Sequence, residues 1–209
     1  MTYPKPIQKL IDFFIRFPGI GPRQAARFAF FLLKKDESEL KEIAESIRNL
    51  KNEVLFCSLC FRSIEKNHSG LCSLCPDKKR DQNMVMVVEK ESDLINMERA
   101  GNFNGLYHLL GGVIMPLNPD SSKNLHLKDF FQRIKTILDS GNKNVEVVLA
   151  TNPTTEGDTT ALYIERILEP LKNHYPDLKI SRLGRGLSLG SELEYADEST
   201  IKHALTNRK

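Results

Sequence analysis

All four cysteines of this 209-residue chain fall within nineteen residues, as Cys57-Ser-Leu-Cys60 and Cys72-Ser-Leu-Cys75. Two thiolates two residues apart grip one ion from a tight turn, and two such turns complete the tetrahedral four-sulfur shell that Zn²⁺ prefers. The eleven residues between the pairs are fewer than in a common zinc ribbon; they suit a compact knuckle with His68, Ser69 and Gly70 in the connecting loop. The alternatives are four buried thiols or two disulfides, and each leaves the doubled spacing to coincidence. A closed four-sulfur shell has no position for a catalytic water. One zinc per chain on Cys57, Cys60, Cys72 and Cys75 would therefore be structural, and function is to be sought on either side of it.

A chain of this length holds one ordinary domain or two small ones around a metal module. No apolar run reaches the ~18 residues of a membrane span, and the first residues, Met1-Thr-Tyr-Pro-Lys-Pro6, lack the apolar core of a signal peptide. A cytoplasmic protein is expected, which agrees with reduced cysteines. The net charge of +3 argues little by itself, but it is unevenly spread. Residues 1–83 carry 15 Lys/Arg against 10 Asp/Glu, and residues 84–209 carry 15 against 17. The first part is the better candidate for a polyanionic partner.

Ile7, Leu10, Ile11, Phe14 and Phe17 recur at helical spacing and predict a helix over 6–17, stopped by Pro18. After Gly19-Ile-Gly-Pro22 a second helical run extends from Arg23 to Lys35. Two helices joined by Gly-apolar-Gly form the helix-hairpin-helix pattern. Gly19 and Gly21 permit a tight turn, the amides at the start of the next helix point outward as a phosphate seat, and Arg23 and Arg27 lie one turn apart to add charge to it. The alternative is a plain αα-hairpin with solvated arginines. Asp36 and Glu39 cap a third helix whose stripe of Leu40, Ile43, Ala44, Ile47 and Leu50 reads as core. Lys78-Lys79-Arg80 reads as a solvated linker more readily than as a polyanion contact.

From Met84 the pattern alternates strands and helices. Strands are expected at 84–88, 106–110, 145–150 and 179–183, and helices at 92–99, 128–138 and 159–171, the last ended by Pro170. Such an order gives a doubly wound parallel sheet, in which working residues sit at the carboxyl ends of strands. Glu89 follows the first strand, and Glu156 and Asp158 are expected in the loop after the third. The fold class is thus α/β, with small α-helical and zinc modules.

Phe17-Pro-Gly-Ile-Gly-Pro-Arg23, the four cysteines, Val87-Val-Glu-Lys90, Asn102-Phe-Asn-Gly-Leu-Tyr-His108, Ala150-Thr-Asn-Pro-Thr-Thr-Glu-Gly-Asp158, Gly184-Arg-Gly-Leu187 and Leu193-Glu-Tyr-Ala-Asp-Glu198 occur in one order. Together they resemble the RecR family of bacterial recombination mediators across nearly the whole chain. The resemblance implies a helix-hairpin-helix DNA-binding region (1–53), a four-cysteine zinc finger (54–80), a Toprim domain (81–183) and a C-terminal assembly segment (184–209). It also implies a ring-shaped homotetramer acting as a clamp for gapped DNA with little dependence on sequence. Acting near the nucleoid with RecO and RecF, such a clamp helps load RecA onto DNA coated by single-strand binding protein. The segment Pro116-Leu-Asn-Pro-Asp-Ser-Ser-Lys-Asn-Leu125 departs from the family in lacking a Gly-rich turn after Pro-Leu.

The rival class is enzymatic. Toprim domains in nucleases, primases and topoisomerases hold Mg²⁺ on a glutamate after the first strand and an acidic pair after the third, since hard oxygen ligands suit that ion. Glu89, Glu156 and Asp158 stand at those places. The alternative is that they make protein contacts or brace loops, and the family, regarded as non-enzymatic, favours it. Tyr107 and Tyr195 read as packing or interface residues, and His108 as a satisfied core histidine.

Overall fold

Pro4 stands just before α1 (Lys5–Phe14) and Pro6 inside its first turn, where a fixed φ and a missing N–H do no harm. In the computed structural model, which describes residues 3–187 and 190–208, the chain divides after Val54 into two units. The first holds α1, α2 (Pro22–Leu33) and α3 (Glu37–Glu53). The end of α1 comes ahead of Pro18: the chain tightens into i→i−3 bonds from Arg16 to Phe13 and from Phe17 to Phe14. Gly19 then takes φ 73°, a left-handed conformation that glycine adopts without strain. Gly21 is extended, with φ −85° and ψ 167°, so the turn itself requires glycine only at the first position. A Cβ at either glycine would meet nothing within 4 Å, which leaves this backbone open to an outside ligand.

Ile11, Ala25 and Ala29 are buried between α1 and α2, with Ile7, Phe14 and Ile20 around them. The Asp36 side chain accepts the Glu39 N–H at 2.9 Å and starts α3. The stripe of α3 is not core. Leu40, Ile47 and Leu50 are 37%, 70% and 60% exposed. Amphipathic spacing makes an apolar face without saying what covers it, and the described residues of α1 and α2 do not bury this one.

β1 (Val54–Phe56), which begins at the last residue of the first unit, and β2 (Ser63–Glu65) pair around the first cysteine turn. β3 (Asp81–Val88), β4 (Gly105–Leu109), β5 (Glu146–Ala150) and β6 (Lys179–Arg182) form a parallel sheet in the order β4-β3-β5-β6. Val85 to Val88 are at most 3% exposed, as expected of a central strand covered on both faces. Val85 and Val87 pack with Phe130 and Ile134 of α5 (Leu127–Asp139) and with Ile164 and Leu168 of α6 (Thr155–His174). Met86, Val88 and Tyr107 pack on the other face with Leu94 of α4 (Glu91–Ala100), joined there by Phe61 and Leu74 of the cysteine module. Each fully buried Leu, Ile or Phe contributes ~1.5–3 kcal/mol, so this interior outweighs the small core of the first unit.

Three expectations change here. α6 begins at Thr155 rather than Thr159, because the Thr154 hydroxyl accepts the Gly157 N–H at 3.1 Å and caps it. It also runs through Pro170 to His174, since Pro170 is exposed and water can take the carbonyl bond that proline leaves open. Arg80 is no solvated linker residue: it forks onto Glu98 at 2.5 and 3.0 Å and donates to the Gly105 carbonyl at 2.9 Å.

Within the segment 116–125, a 3-10 turn (Pro119–Asn124) capped by the Asn118 side chain stands where a Gly-rich turn was expected. After β6 come a 3-10 turn (Leu193–Tyr195) and α7 (Glu198–Thr206), the latter capped by Asp197. No helix among the described residues is long and apolar enough to cross a membrane.

Candidate functional site

The four cysteines are at most 6% exposed, and their sulfurs lie within 4.8 Å of one another. Cys57 and Cys75 Sγ are 3.9 Å apart, and Cys60 and Cys72 Sγ 3.6 Å. Bonds of ~2.3 Å to a tetrahedral ion set sulfurs ~3.8 Å apart, whereas a disulfide brings them to ~2.05 Å. The spacing fits an ion and excludes bridges. The Cys72 N–H points at Cys57 Sγ (3.3 Å) and the Cys75 N–H at Cys72 Sγ (3.4 Å), which favours thiolate. Hydrogen bonding to Cys60 holds the Cys72 thiol far below its ordinary pKa, and hydrogen bonding to Cys72 pushes Cys60 far above it. Four buried, converging sulfurs at this spacing could hold zinc, whose binding would displace any protons on the thiols. Asn67, which nothing in the spacing singles out, braces the intervening loop by accepting from Gly70 N–H at 2.8 Å and donating to the Leu71 carbonyl at 3.0 Å.

Glu89 lies just past β3 and is 7% exposed. Its carboxylate accepts the backbone N–H of Asn152 at 2.7 Å and that residue's side-chain amide at 2.6 Å. Glu156 and Asp158 occupy the first turn of α6 instead of an extended loop. On a helix, residues two apart point in nearly opposite directions, so the pair does not share one side as an extended segment would allow. Asp158 is gripped by both Nη atoms of Arg185, one at 3.1 Å, with Arg182 Nη1 at 3.6 Å. Hydrogen bonding from Arg185 holds its carboxyl below the usual carboxylate range. Among the described residues the only group of three or more potential metal ligands is the four cysteines.

A crevice of about 940 Å³ opens at the carboxyl ends of β5 and β6, with Asn152, Asp158, Arg182, Arg185 and His203 on its walls. Arg182 and Arg185 were missed from sequence, although Arg-x-x-Arg running from the last residue of a parallel strand is a signal for this position. His108 is fully buried; its Nε2 lies 3.0 Å from the His126 carbonyl, and burial pushes its pKa down to about 3. It is a neutral core ring wedged between Phe61 and Phe130.

In the hairpin no side chain caps the start of α2 at Gly21. Arg23 and Arg27 are exposed on its first two turns, and among the described residues neither is ion-paired. The start of α2 thus combines the positive end of a helix dipole with two exposed guanidiniums one turn apart on one face.

Residues 7–51 match the family model described as RecR, helix-hairpin-helix; residues 83–183 match Toprim domain, and residues 186–209 match RecR, C-terminal. A Staphylococcus aureus protein named Recombination protein RecR is 39% identical over 208 residues, covering 100% of this chain and 98% of that relative. Its counterpart in Cutibacterium acnes is 41% identical over 206 residues, covering 99% and 96%. The chain belongs to the RecR family. Its RecR helix-hairpin-helix match contains Gly19, Gly21, Arg23 and Arg27, and the Toprim match contains Glu89, Glu156 and Asp158. The cysteine module lies between the helix-hairpin-helix match and the Toprim match.

Proposed function

We propose that this protein is a DNA-binding mediator of recombinational repair with no chemistry of its own, working as a clamp-like homotetramer near the nucleoid. With RecO and RecF it helps load RecA onto gapped single-stranded DNA. The observation that carries DNA binding is the pair of unpaired guanidiniums, Arg23 and Arg27, beside the uncapped start of α2. That seat takes phosphates without reading bases, which suits a mediator that must act on any sequence. Residues 1–53 are the DNA-binding region, 54–80 a finger holding one structural zinc, 81–183 the Toprim domain and 184–209 an assembly segment.

Assembly finds support in apolar surface at both ends of the chain. Ile47 and Leu50 on α3, and Leu193 and Tyr195 before α7, are 60–80% exposed, an arrangement suited to two self-complementary contacts in a closed ring. The nuclease alternative needs free carboxylates converging on Mg²⁺. Glu89 is instead engaged by Asn152 and Asp158 by two arginines, so we assign these residues, with Glu156, to loop structure and partner contacts, and any Mg²⁺ there to a non-catalytic role. The test is the solution mass of the protein on labelled gapped DNA with Mg²⁺ present. Four protomers on uncut DNA are expected; a strict monomer, or cleavage lost in a Glu156→Gln, Asp158→Asn variant, contradicts the proposal.

A further inference from the structure

Arg133 was not singled out in the sequence, where it stands among the alternating positions of an ordinary amphipathic helix. Its guanidinium reaches three elements. Nη1 donates to the Leu59 carbonyl, inside the first cysteine turn, at 2.9 Å and to the Tyr107 carbonyl of β4 at 2.6 Å. Nη2 lies 3.9 Å from Cys75 Sγ in the second cysteine turn. Elsewhere the module is held to the sheet by the Leu109 N–H donating to the Cys60 carbonyl at 2.9 Å and to the start of α5 by Phe61 stacked on His126 at 3.8 Å. On the α5 side packing is incomplete: a crevice of about 420 Å³ remains, walled by Leu59, Phe61, Cys75, Thr136 and Ile137 as well as Arg133. There the guanidinium spans what apolar contact does not fill.

We infer that Arg133 is the positioning residue of the cysteine centre, coupling metal retention in the finger to the finger's seat on the α/β sheet. Zinc on four thiolates leaves two net negative charges in a buried place, and a guanidinium N–H directed at a sulfur offsets part of that charge while fixing the ligand's orientation. The planar fork matters as much as the charge, since a lysine ammonium on a flexible stem cannot hold two carbonyls and a sulfur at once. Coupling of this kind is reciprocal: whatever loosens the seat weakens the metal, and metal loss loosens the seat. This role for Arg133 rests on the zinc proposed for the four cysteines.

The experiment measures zinc affinity by competition with a chromophoric chelator, alongside hydrogen exchange of the Leu109 amide, in the full chain. Arg133→Met should hold zinc ~10–100-fold more weakly, the range for removing a group that orients a ligand, and should exchange the Leu109 amide faster. Arg133→Lys should recover part of the affinity and remain several-fold weaker than wild type; it decides the matter alone should Arg133→Met fail to fold. Ile134→Val, a neighbouring core change that touches no cysteine, should lower stability and leave zinc affinity unchanged. Zinc-loaded wild type and Arg133 variants of equal affinity would overturn the role of Arg133. Wild type purified without zinc would overturn the zinc assignment beneath it.

Discussion

Replacing Cys72 by Ser should take the protein from about one zinc per chain to near none and unfold the finger while the sheet survives. The finger's own interior is the four cysteines with Ile64, Leu71 and Leu74 packed against them, too little apolar surface to order two knuckles without an ion. In small zinc-finger peptides the metal supplies ~10–16 kcal/mol, which is folding free energy, so losing one of four ligands is decisive. The α/β unit has its separate core around Phe130, Ile134 and Ile164 and should keep its circular dichroism. Protease sensitivity should appear between residues 57 and 80, and a strong chelator should reproduce it in wild type. Full metal content and unchanged proteolysis in Cys72→Ser would contradict the account.

The second large effect is expected at Gly157. A Cβ there would lie 2.1 Å from the Asn152 carbonyl oxygen and 2.9 Å from Glu89 Oε1. Alanine gains up to ~1 kcal/mol of helix propensity, but the clash is with backbone and cannot be relieved by turning a side chain. Overpacking costs ~1–3 kcal/mol, and an approach this short belongs at the upper end. Gly157→Ala should thus destabilise by ~2 kcal/mol net, or roughly 4–8 °C in Tm for a chain of this size. It should also pull Asn152 away from Glu89, disturbing the strand ends of the crevice. An unchanged Tm would mean that this helix start is looser than its geometry indicates.

Much of this was legible wherever one local rule acted alone. The apolar run through Val85–Val88 reads as a strand buried on both faces, paired cysteines read as a metal site, and Asp36 with Glu39 reads as a helix start. Legibility failed where the deciding partner was remote in sequence. Pro170 ends a helix by local rule, yet at an exposed position water substitutes for the missing bond. The stripe on α3 is amphipathic, but nothing in its spacing says that Ile47 is 70% exposed. Glu89, Glu156 and Asp158 could be picked out, whereas the bonds of Asn152 to Glu89 and of Arg182 and Arg185 to Asp158 depend on strand order and on a cap at Thr154 that turns a loop into helix. Arg133 left no local trace, because its three acceptors come from two cysteine turns and a strand.

That DNA is held at the hairpin through its phosphates is tested by DNA-binding titrations over a range of salt concentrations with wild type, Arg23→Ala and Arg27→Ala. Both side chains are exposed, so the folds should be unperturbed within ~0.5 kcal/mol. Binding driven by counterion release falls steeply with salt. Each substitution should weaken binding about equally on unrelated sequences and reduce the salt slope by about one for each phosphate no longer neutralised, more where several protomers touch one DNA. Wild-type affinity with an unchanged slope in both variants would contradict it and place the DNA on another part of the protein.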